Sequence, residues 1–546
     1  MNAKELYKLG ESLFEKKSAL NSLHQEIADH FYPERAIFTM GRSLGNDFAS
    51  NLMTSYPMLA RRDLGNQFGV MLRPTAKQWF HTARRYQEEE DTEVKRWLEA
   101  FEETQRRAMY DPISQFTRAT KEGDHDFAAF GQCGISIELA HRSRFGSHLL
   151  YRCWHLKDLA WQEDESGKVE TKFRKWKTTV HTLRRTFPKI HDNLERLHTK
   201  DPFAEHEVCH IVVPAEFYDE KTKLPYMSVW YDSANDFICE SVPMWTGHYI
   251  IPRWQTVSGS QYAYSPATVA ALPDARLIQA MTFTLLEASE KATSPPLIAT
   301  QDAIRSDVQT YAGGITWVDS EYDEKLGEVL RPISQDFRGM QYGVAVNQDV
   351  RALIREAFYL NKLSMPQRAP EMTAYEVGQR VQEYIRNALP IFEPMESEYN
   401  AAICEDTFEL LWRNGAFGDP RSWPKELHGA DIEFRFESPL HDAIEQQKGH
   451  KILEAQSLIA QAIPIDPSAA SIMDFKVALR DALIGIQAPA EWLRTEEEVE
   501  AIARKQQEDQ QAQQMLAGMQ QASEINANLA GSQPAEQAPM LEQAAA

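Results

Sequence analysis

PDARLIQAMTFTLLEASEKATSPP, residues 273–296, is the stretch whose reading decides the fold. Proline is tolerated in the first turn of a helix and stops one at its far end. Pro273 at the start and Pro295-Pro296 at the end therefore predict one helix, Asp274 to Ala292. At 1.5 Å per residue it would be about 28 Å long. A second helix is predicted over NQDVRALIREAFYLNK, residues 347–362. Between them Leu297 to Gly343 is mixed, with Gly313-Gly314, Pro332 and short β-like runs such as Ile315 to Val318. Two helices around a mixed excursion make a hairpin.

Outward from that hairpin the chain changes texture twice. Toward the N-terminus, Leu6, Leu13, Leu20 and Ile27, with Leu9 and Leu23 between them, predict one long amphipathic helix that Pro33 ends. Further helices are expected at Tyr56 to Met71 and Glu93 to Tyr110. From Cys133 to Trp254 short apolar or alternating runs sit between turn residues: Ile135 to Ala140, His148 to Trp154, Val169 to Thr179, Val208 to Val213 and Met227 to Tyr231. That pattern predicts a β-rich region, and its six tryptophans read as core and inter-strand packing.

Toward the C-terminus, Leu363 to Glu371 is a loop with Pro366 and Pro370. Thr373 then opens a long helix, with Glu376 completing a capping box. Helices are expected at Glu396 to Arg413, Leu440 to Ala462 and Ser471 to Leu483. From Glu496 the chain is dominated by Glu, Gln and Ala. Such a segment buries too little surface alone and needs partner chains to hold a bundle. From about Gly531 disorder is expected.

With 546 residues, 43% hydrophobic and 25% charged, the chain should fold as two or more packed regions. The best candidate for a membrane span, Ala267 to Ala288, carries Asp274, Arg276 and Glu287, so no transmembrane helix is expected. Met1 to Leu9 lacks the apolar core of a secretory signal. The five cysteines are widely spaced and form no C-x-x-C pair, which fits a reducing cytoplasm. A net charge of −22 argues against a protein that coats nucleic acid. It fits plain solubility, or a surface that DNA passes without sticking.

The search for chemistry finds little. No phosphate-binding loop, dinucleotide glycine motif or G-x-S-x-G elbow is present. His206-Glu207-Val208-Cys209-His210 matches H-E-x-x-H, the signature of a zinc metalloprotease. That chemistry needs both histidines one turn apart on a helix. Pro202 and Pro214 bracket the segment and Val208, Ile211, Val212 and Val213 are strand formers. On a strand the two histidines share a face about 13 Å apart, too far for one metal. The acidic runs Glu88 to Asp91, Glu163 to Glu165 and Glu496 to Glu498 lack the convergent spacing of a two-metal nuclease. No cofactor and no catalytic residue is expected. The stretch His141 to Lys200 is locally basic: Arg142, Arg144, Lys172, Arg174, Lys175, Lys177, Arg184 and Arg185, with Phe173 and Trp176 interleaved. It predicts a strand with a cationic solvent face, suited to DNA phosphates or to an acidic neighbour.

Several blocks, in order, carry a resemblance. They are Arg62-Asp63-Leu64 through Leu72-Arg73-Pro74 to Gln78-Trp79-Phe80; Asp126-Phe127-Ala128-Ala129-Phe130-Gly131; Pro252-Arg253-Trp254 with Tyr262, Ser265-Pro266 and Leu272-Pro273-Asp274; Ser294-Pro295-Pro296; and Met372 to Val377 with Arg380. Together, over about residues 5 to 490, the chain resembles the head-to-tail connecting (portal) proteins of short-tailed bacteriophages. It departs at Ala263 and Tyr264, where the family usually has Gly and Arg.

The resemblance implies an α+β portal-type subunit and not an enzyme. Stem and crown would be mainly helical, the wing β-rich and the clip small and mixed. By position, residues 1–272 look like the wing, 273–296 and 347–362 the two stem helices, 297–346 the clip and 363–372 the channel loop. Residues 373–439 look like wing and crown helices, 440–495 the crown, and 496–546 a Gln-rich barrel extension or disordered tail. No repeat of about 20 to 50 residues is visible, so any ring must come from several copies and not from internal duplication, and the resemblance implies twelve. Implied partners are double-stranded DNA held without sequence preference, capsid protein, terminase and tail adaptors, with no membrane. The implied place is a capsid vertex of the virion, after assembly in the host cytoplasm. Lys362 and Arg368 would touch DNA phosphates at the channel loop. A zinc metalloprotease, or another ring or scaffold component of a virion, stands as the alternative.

Overall fold

The computed structural model of the chain describes residues 2–41, 52–75, 78–86, 92–143, 146–218, 222–293, 295, 297–299, 317, 330–332, 339–362, 395–436 and 459. The chain divides into two compact units. One comprises Met1–Thr82, Phe101–Ser422 and Ile432–Gln447; the other comprises Ala83–Ala100, Trp423–Asp431 and Lys448–Ala546. In the second unit the Arg85 N–H donates to the Asp431 carbonyl at 2.8 Å.

The described helices are α1 (Ala3–Lys16), α2 (Ser18–Phe31), α3 (Tyr56–Leu72), α4 (Thr92–Met109), α5 (Phe116–Phe130), α6 (Val180–Thr186), α7 (Asp192–Lys200), α8 (Ala215–Tyr218), α9 (Pro266–Thr293), α10 (Gly339–Ala357) and α11 (Ala402–Arg413). The strands are β1 (Phe80–Arg84), β2 (Gly134–Ser143), β3 (Gly146–Trp154), β4 (Leu159–Glu163), β5 (Val169–Thr179), β6 (Glu205–Pro214), β7 (Tyr226–Asp232), β8 (Phe237–Met244), β9 (Tyr249–Ile250), β10 (Gln255–Thr256), β11 (Ala263–Tyr264), β12 (Leu297–Ala299), β13 (Leu330–Pro332) and β14 (Ile432–Phe436). The described residues thus mix helix and sheet, as an α+β chain does.

The N-terminal heptad series makes two helices where one was expected. The break falls at Lys17, whose side chain turns inward. It is fully buried, and its Nζ donates to the Leu156 carbonyl at 2.6 Å and the Leu159 carbonyl at 2.8 Å. Burial pulls its pKa down to about 7.

Strands β4 to β8 form a five-stranded antiparallel sheet in chain order. Phe173 stands opposite Ile211, which stands opposite Val229, so the three rows share one face. Leu6 and Leu13 of α1 pack on that face. On the other face Val180 and Leu183 of α6, Phe187 just after it and Leu194 of α7 cover Val208, Cys239, Trp176 and Trp230.

Cover on both faces overturns the cationic solvent face expected of β5. Lys172 and Arg174 are interior, 6% and 4% exposed. The Arg174 guanidinium lies 3.7 Å from the centre of the Trp154 ring, with Trp230 at 5.3 Å and Trp176 at 5.6 Å. Its Nε donates to the Tyr249 hydroxyl at 2.7 Å. The ring faces favour the buried cation, and Glu138 and Asp158 lie close enough to feel its charge. Lys177 does reach solvent, where it pairs with Glu205 at 2.5 Å, and Arg184 and Arg185 are exposed.

Candidate functional site

Helix α9 starts at Pro266, eight residues before the expected start, and runs through Pro273. Pro273 has no N–H for the Val269 carbonyl. The turns before it are held from outside instead. Ser265 Oγ donates to the Ala128 carbonyl and Thr268 Oγ1 to the Ala129 carbonyl, each at 2.8 Å. Helix α10 likewise starts early, at Gly339, and ends at Ala357 rather than at Lys362.

The two helices pack directly on each other. Asn347 Nδ2 donates to Thr282 Oγ1 at 3.2 Å, and Leu285 sits so close to Gly343 that a Cβ there would lie 2.9 Å from its methyl. Three residues forward on α9 is four residues back on α10, so the pair is antiparallel. Strands β12 and β13, which follow α9 and precede α10, also pair antiparallel, Leu297 opposite Pro332.

The pair has two unlike halves. Its root has an interior side: Ala271, Ala275 and Ile278 of α9 and Ile354 of α10 are fully buried, while Val269, Leu277 and Leu353 on the opposite side face solvent. Gln279 closes the root, accepting the Met53 N–H at 2.7 Å and the Thr54 N–H at 3.0 Å while donating to the Thr54 carbonyl at 2.9 Å. Beyond Gln279 no residue of α9 is buried. In this distal half Phe283, Leu286, Tyr342, Val344 and Val346 are 45–76% exposed. Large apolar side chains grouped on a surface mark a place where something packs.

Residues from three of the blocks that carry the resemblance lie around the start of α9. Arg73 pairs with Asp124 in the interior, and its Nη1 donates to Asn400 Oδ1 at 2.7 Å. Arg35 grips Asp126 with two bonds, 2.9 and 2.6 Å. The Trp254 N–H donates to the Gly131 carbonyl at 2.8 Å. Gly131 has φ +72°, and a Cβ there would collide with the Tyr264–Ser265 backbone, so both geometry and space require glycine. Where the family usually has Gly and Arg, Ala263 is buried and donates its N–H to Gln132 Oε1 at 3.0 Å.

The H-E-x-x-H match lies on β6, a strand. His210 is interior, with Nδ1 on the Tyr249 hydroxyl at 2.5 Å, Nε2 on Ser228 Oγ at 2.8 Å and its ring stacked 4.0 Å from Trp230. Burial holds its pKa well below the usual histidine value. His206 Nε2 bonds Asp232 Oδ1 at 2.9 Å. The ring nitrogens are committed to separate partners, and the protease geometry is not met. Among the described residues no three His, Cys, Asp or Glu side chains group so as to hold a metal ion, and no described helix is long and apolar enough to cross a membrane.

Of the two candidate DNA contacts, Lys362 is exposed, its Nζ 5.8 Å from the Tyr359 ring centre. Arg368 lies outside the described residues. So do the loop 363–371, the helix predicted from Thr373, most of 297–338, nearly all of 440–495 and the tail 496–546. Sequence reading did not single out Gln279, Gly343 or the valines of α10. The available signal was apolar residues on both sides of the 277–286 helix, more than one buried stripe needs.

A family model described as bacteriophage head to tail connecting protein matches residues 3–493. The chain is 25% identical over 435 residues to the probable portal protein of Bordetella phage BPP-1, covering 77% of this chain and 76% of that one. It is 22% identical over 376 residues to the portal protein of Salmonella phage epsilon15, covering 66% and 65%. Among solved structures, a chain from the virion of a native gene transfer agent particle aligns over 85% of this chain and 99% of its own, at 11% identity and a TM-score of 0.36.

Proposed function

This chain belongs to the bacteriophage head to tail connecting proteins, and on that premise we propose that it forms a twelve-membered ring at one capsid vertex, through which DNA enters and leaves the head. The observation that carries the ring is the distal half of the helix pair, whose exposed apolar side chains suit a neighbouring copy. In a cyclic ring one face of each pair meets a different face of the next. Residues on both α9 and α10 are available for such a head-to-tail contact.

On this reading α9 and α10 are the stem, residues 297–338 the clip that docks tail adaptors, and the region before Pro266 the wing. Residues 363–372 face the channel, 440–495 form the crown, and 496–546 extend it into the head. Terminase docks on the same ring during packaging. Twelve copies at −22 each make an acidic assembly, and an acidic wall repels phosphates and lowers friction on a moving duplex. Lys362 and Arg368 give transient phosphate contacts.

Negative-stain imaging of the purified full chain tests the ring. Annular particles with a central hole are expected; a protein that stays monomeric at high concentration removes the proposal. Lys362→Ala with Arg368→Ala should lower genome retention in assembled particles. Unchanged packaging and retention would discard those two contacts and leave the ring intact.

A further inference from the structure

Residues 363–394 leave the described structure after Lys362 and return at Met395. The two flanks meet at neighbouring residues of another segment. On the exit side the chain turns two residues after α10 at Tyr359, whose φ of +57° is the left-handed conformation that often follows a helix. A non-glycine residue adopts that conformation only uncommonly. Phe358 is fully buried with its ring 5.4 Å from Phe31, and the Tyr359 ring lies 6.2 Å from Trp254.

On the return side Glu398 is held by Arg253. The Arg253 backbone N–H donates to Glu398 Oε2 at 3.1 Å, Nε to the same oxygen at 3.3 Å, and Nη2 to Oε1 at 3.1 Å. The same guanidinium pairs with Glu163 and donates to the Gly167 carbonyl at 2.8 Å. A column of rings completes the link. Tyr399 stacks on Phe127 at 5.7 Å and 29°, and Phe127 stacks on Trp254 at 5.6 Å and 16°. Tyr359, Trp254, Phe127 and Tyr399 thus run from one flank to the other.

We propose that Arg253 and Trp254 act as one positioning unit that fixes both flanks of residues 363–394 against each other, so that a load on one flank is felt at the other. Its consequence for DNA rests on the channel reading above; the anchor itself does not. The arrangement suits the role chemically. The planar guanidinium fork makes two directed bonds to one carboxylate and still has donors for a second. Stacked rings resist sliding without any charge to be screened.

The test is the distance distribution between spin labels placed on the full chain at Asn361→Cys and Ser397→Cys, just outside each anchor. Both positions are exposed, and the native cysteines are buried or half-buried. A narrow distribution is expected. Tyr359→Ala frees the exit flank and Glu398→Gln the return flank, and each should widen the distribution while thermal unfolding stays cooperative. Trp254→Leu should widen it further, because it loosens both flanks. Arg253→Lys keeps the charge but loses the fork, and should behave like Glu398→Gln. An unchanged width in Tyr359→Ala and Glu398→Gln overturns the proposal, whatever the deeper variants do to folding. Rings seen by negative stain with unchanged widths would sink the anchor and spare the channel. Widened distributions in a chain that forms no rings would do the opposite.

Discussion

The root and the distal half of the helix pair are built from the same two helices and solve opposite problems. At the root, Ile278 and Ile354 vanish into the subunit and Gln279 stitches the helix to the backbone of Met53 and Thr54. A few turns further on, Phe283, Leu286 and Tyr342 stand in solvent. The root therefore reports on the fold of one chain, and the distal half on what one chain does to another. Substitutions in the two halves should separate stability from assembly.

The largest expected effect is on assembly. Phe283→Asp with Leu286→Asp should abolish rings in negative stain while changing the unfolding free energy by less than about 0.5 kcal/mol, the usual range for surface positions. Equal loss of stability would erase the distinction between the halves. Next comes the root. Phe358→Ala or Ile278→Ala should cost about 2–5 kcal/mol in urea unfolding, from lost burial plus the cavity left behind. Gln279→Ala leaves the Met53 and Thr54 groups unpaired and should cost about 1–3 kcal/mol. A cost near zero would mean that those groups find other partners and that the root is looser than its hydrogen bonds imply.

The smallest expected effect is a slope. Lys17 releases its proton near pH 7 when folded and near 10.5 when unfolded. Between those values the unfolded chain binds more protons, so stability rises with pH, by at most about 1.4 kcal/mol per unit for one group. Buried thiols oppose this above about pH 8.5, because Cys209 and Cys239 are held up to about 12 while unfolded thiols ionise. The comparison is therefore wild type against Lys17→Met between pH 7 and 8.5. Wild type should gain stability relative to the variant across that window, and ring formation by the distal half should not track it. Parallel curves would show that Lys17 keeps its proton inside the fold.

Much of the architecture was legible in residue order. The strands expected at Val169 to Thr179 and Met227 to Tyr231 formed within a residue of their predicted limits, because turn residues punctuate them. The end of α9 was legible from Pro295. Its start was not, because Pro273 is tolerated mid-helix when Ser265 and Thr268 hold the preceding turns on the Ala128 and Ala129 carbonyls, partners more than a hundred residues away. The start of α10 was hidden by Gly343, which reads as a turn but serves to let Leu285 approach. Lys172 and Arg174 misled for a related reason. Alternation of charge and apolar residues signals a solvent face only if nothing covers it, and Trp154, Gly247 and Tyr249, which meet those two side chains, lie elsewhere in the chain. For the site, the individual blocks were readable. That Gly131, Trp254 and Ser265 converge on one root was not, since local patterns carry no information about which distant carbonyl a hydroxyl will meet.

The ring sheath around Arg174 has one more consequence. An ion pair weakens as counter-ions crowd around it, whereas a guanidinium sealed among indole faces offers dissolved salt nothing to compete for. The packing around Arg174 should lose little strength from dilute buffer to molar sodium chloride, while the exposed Lys177–Glu205 pair on the same strand weakens.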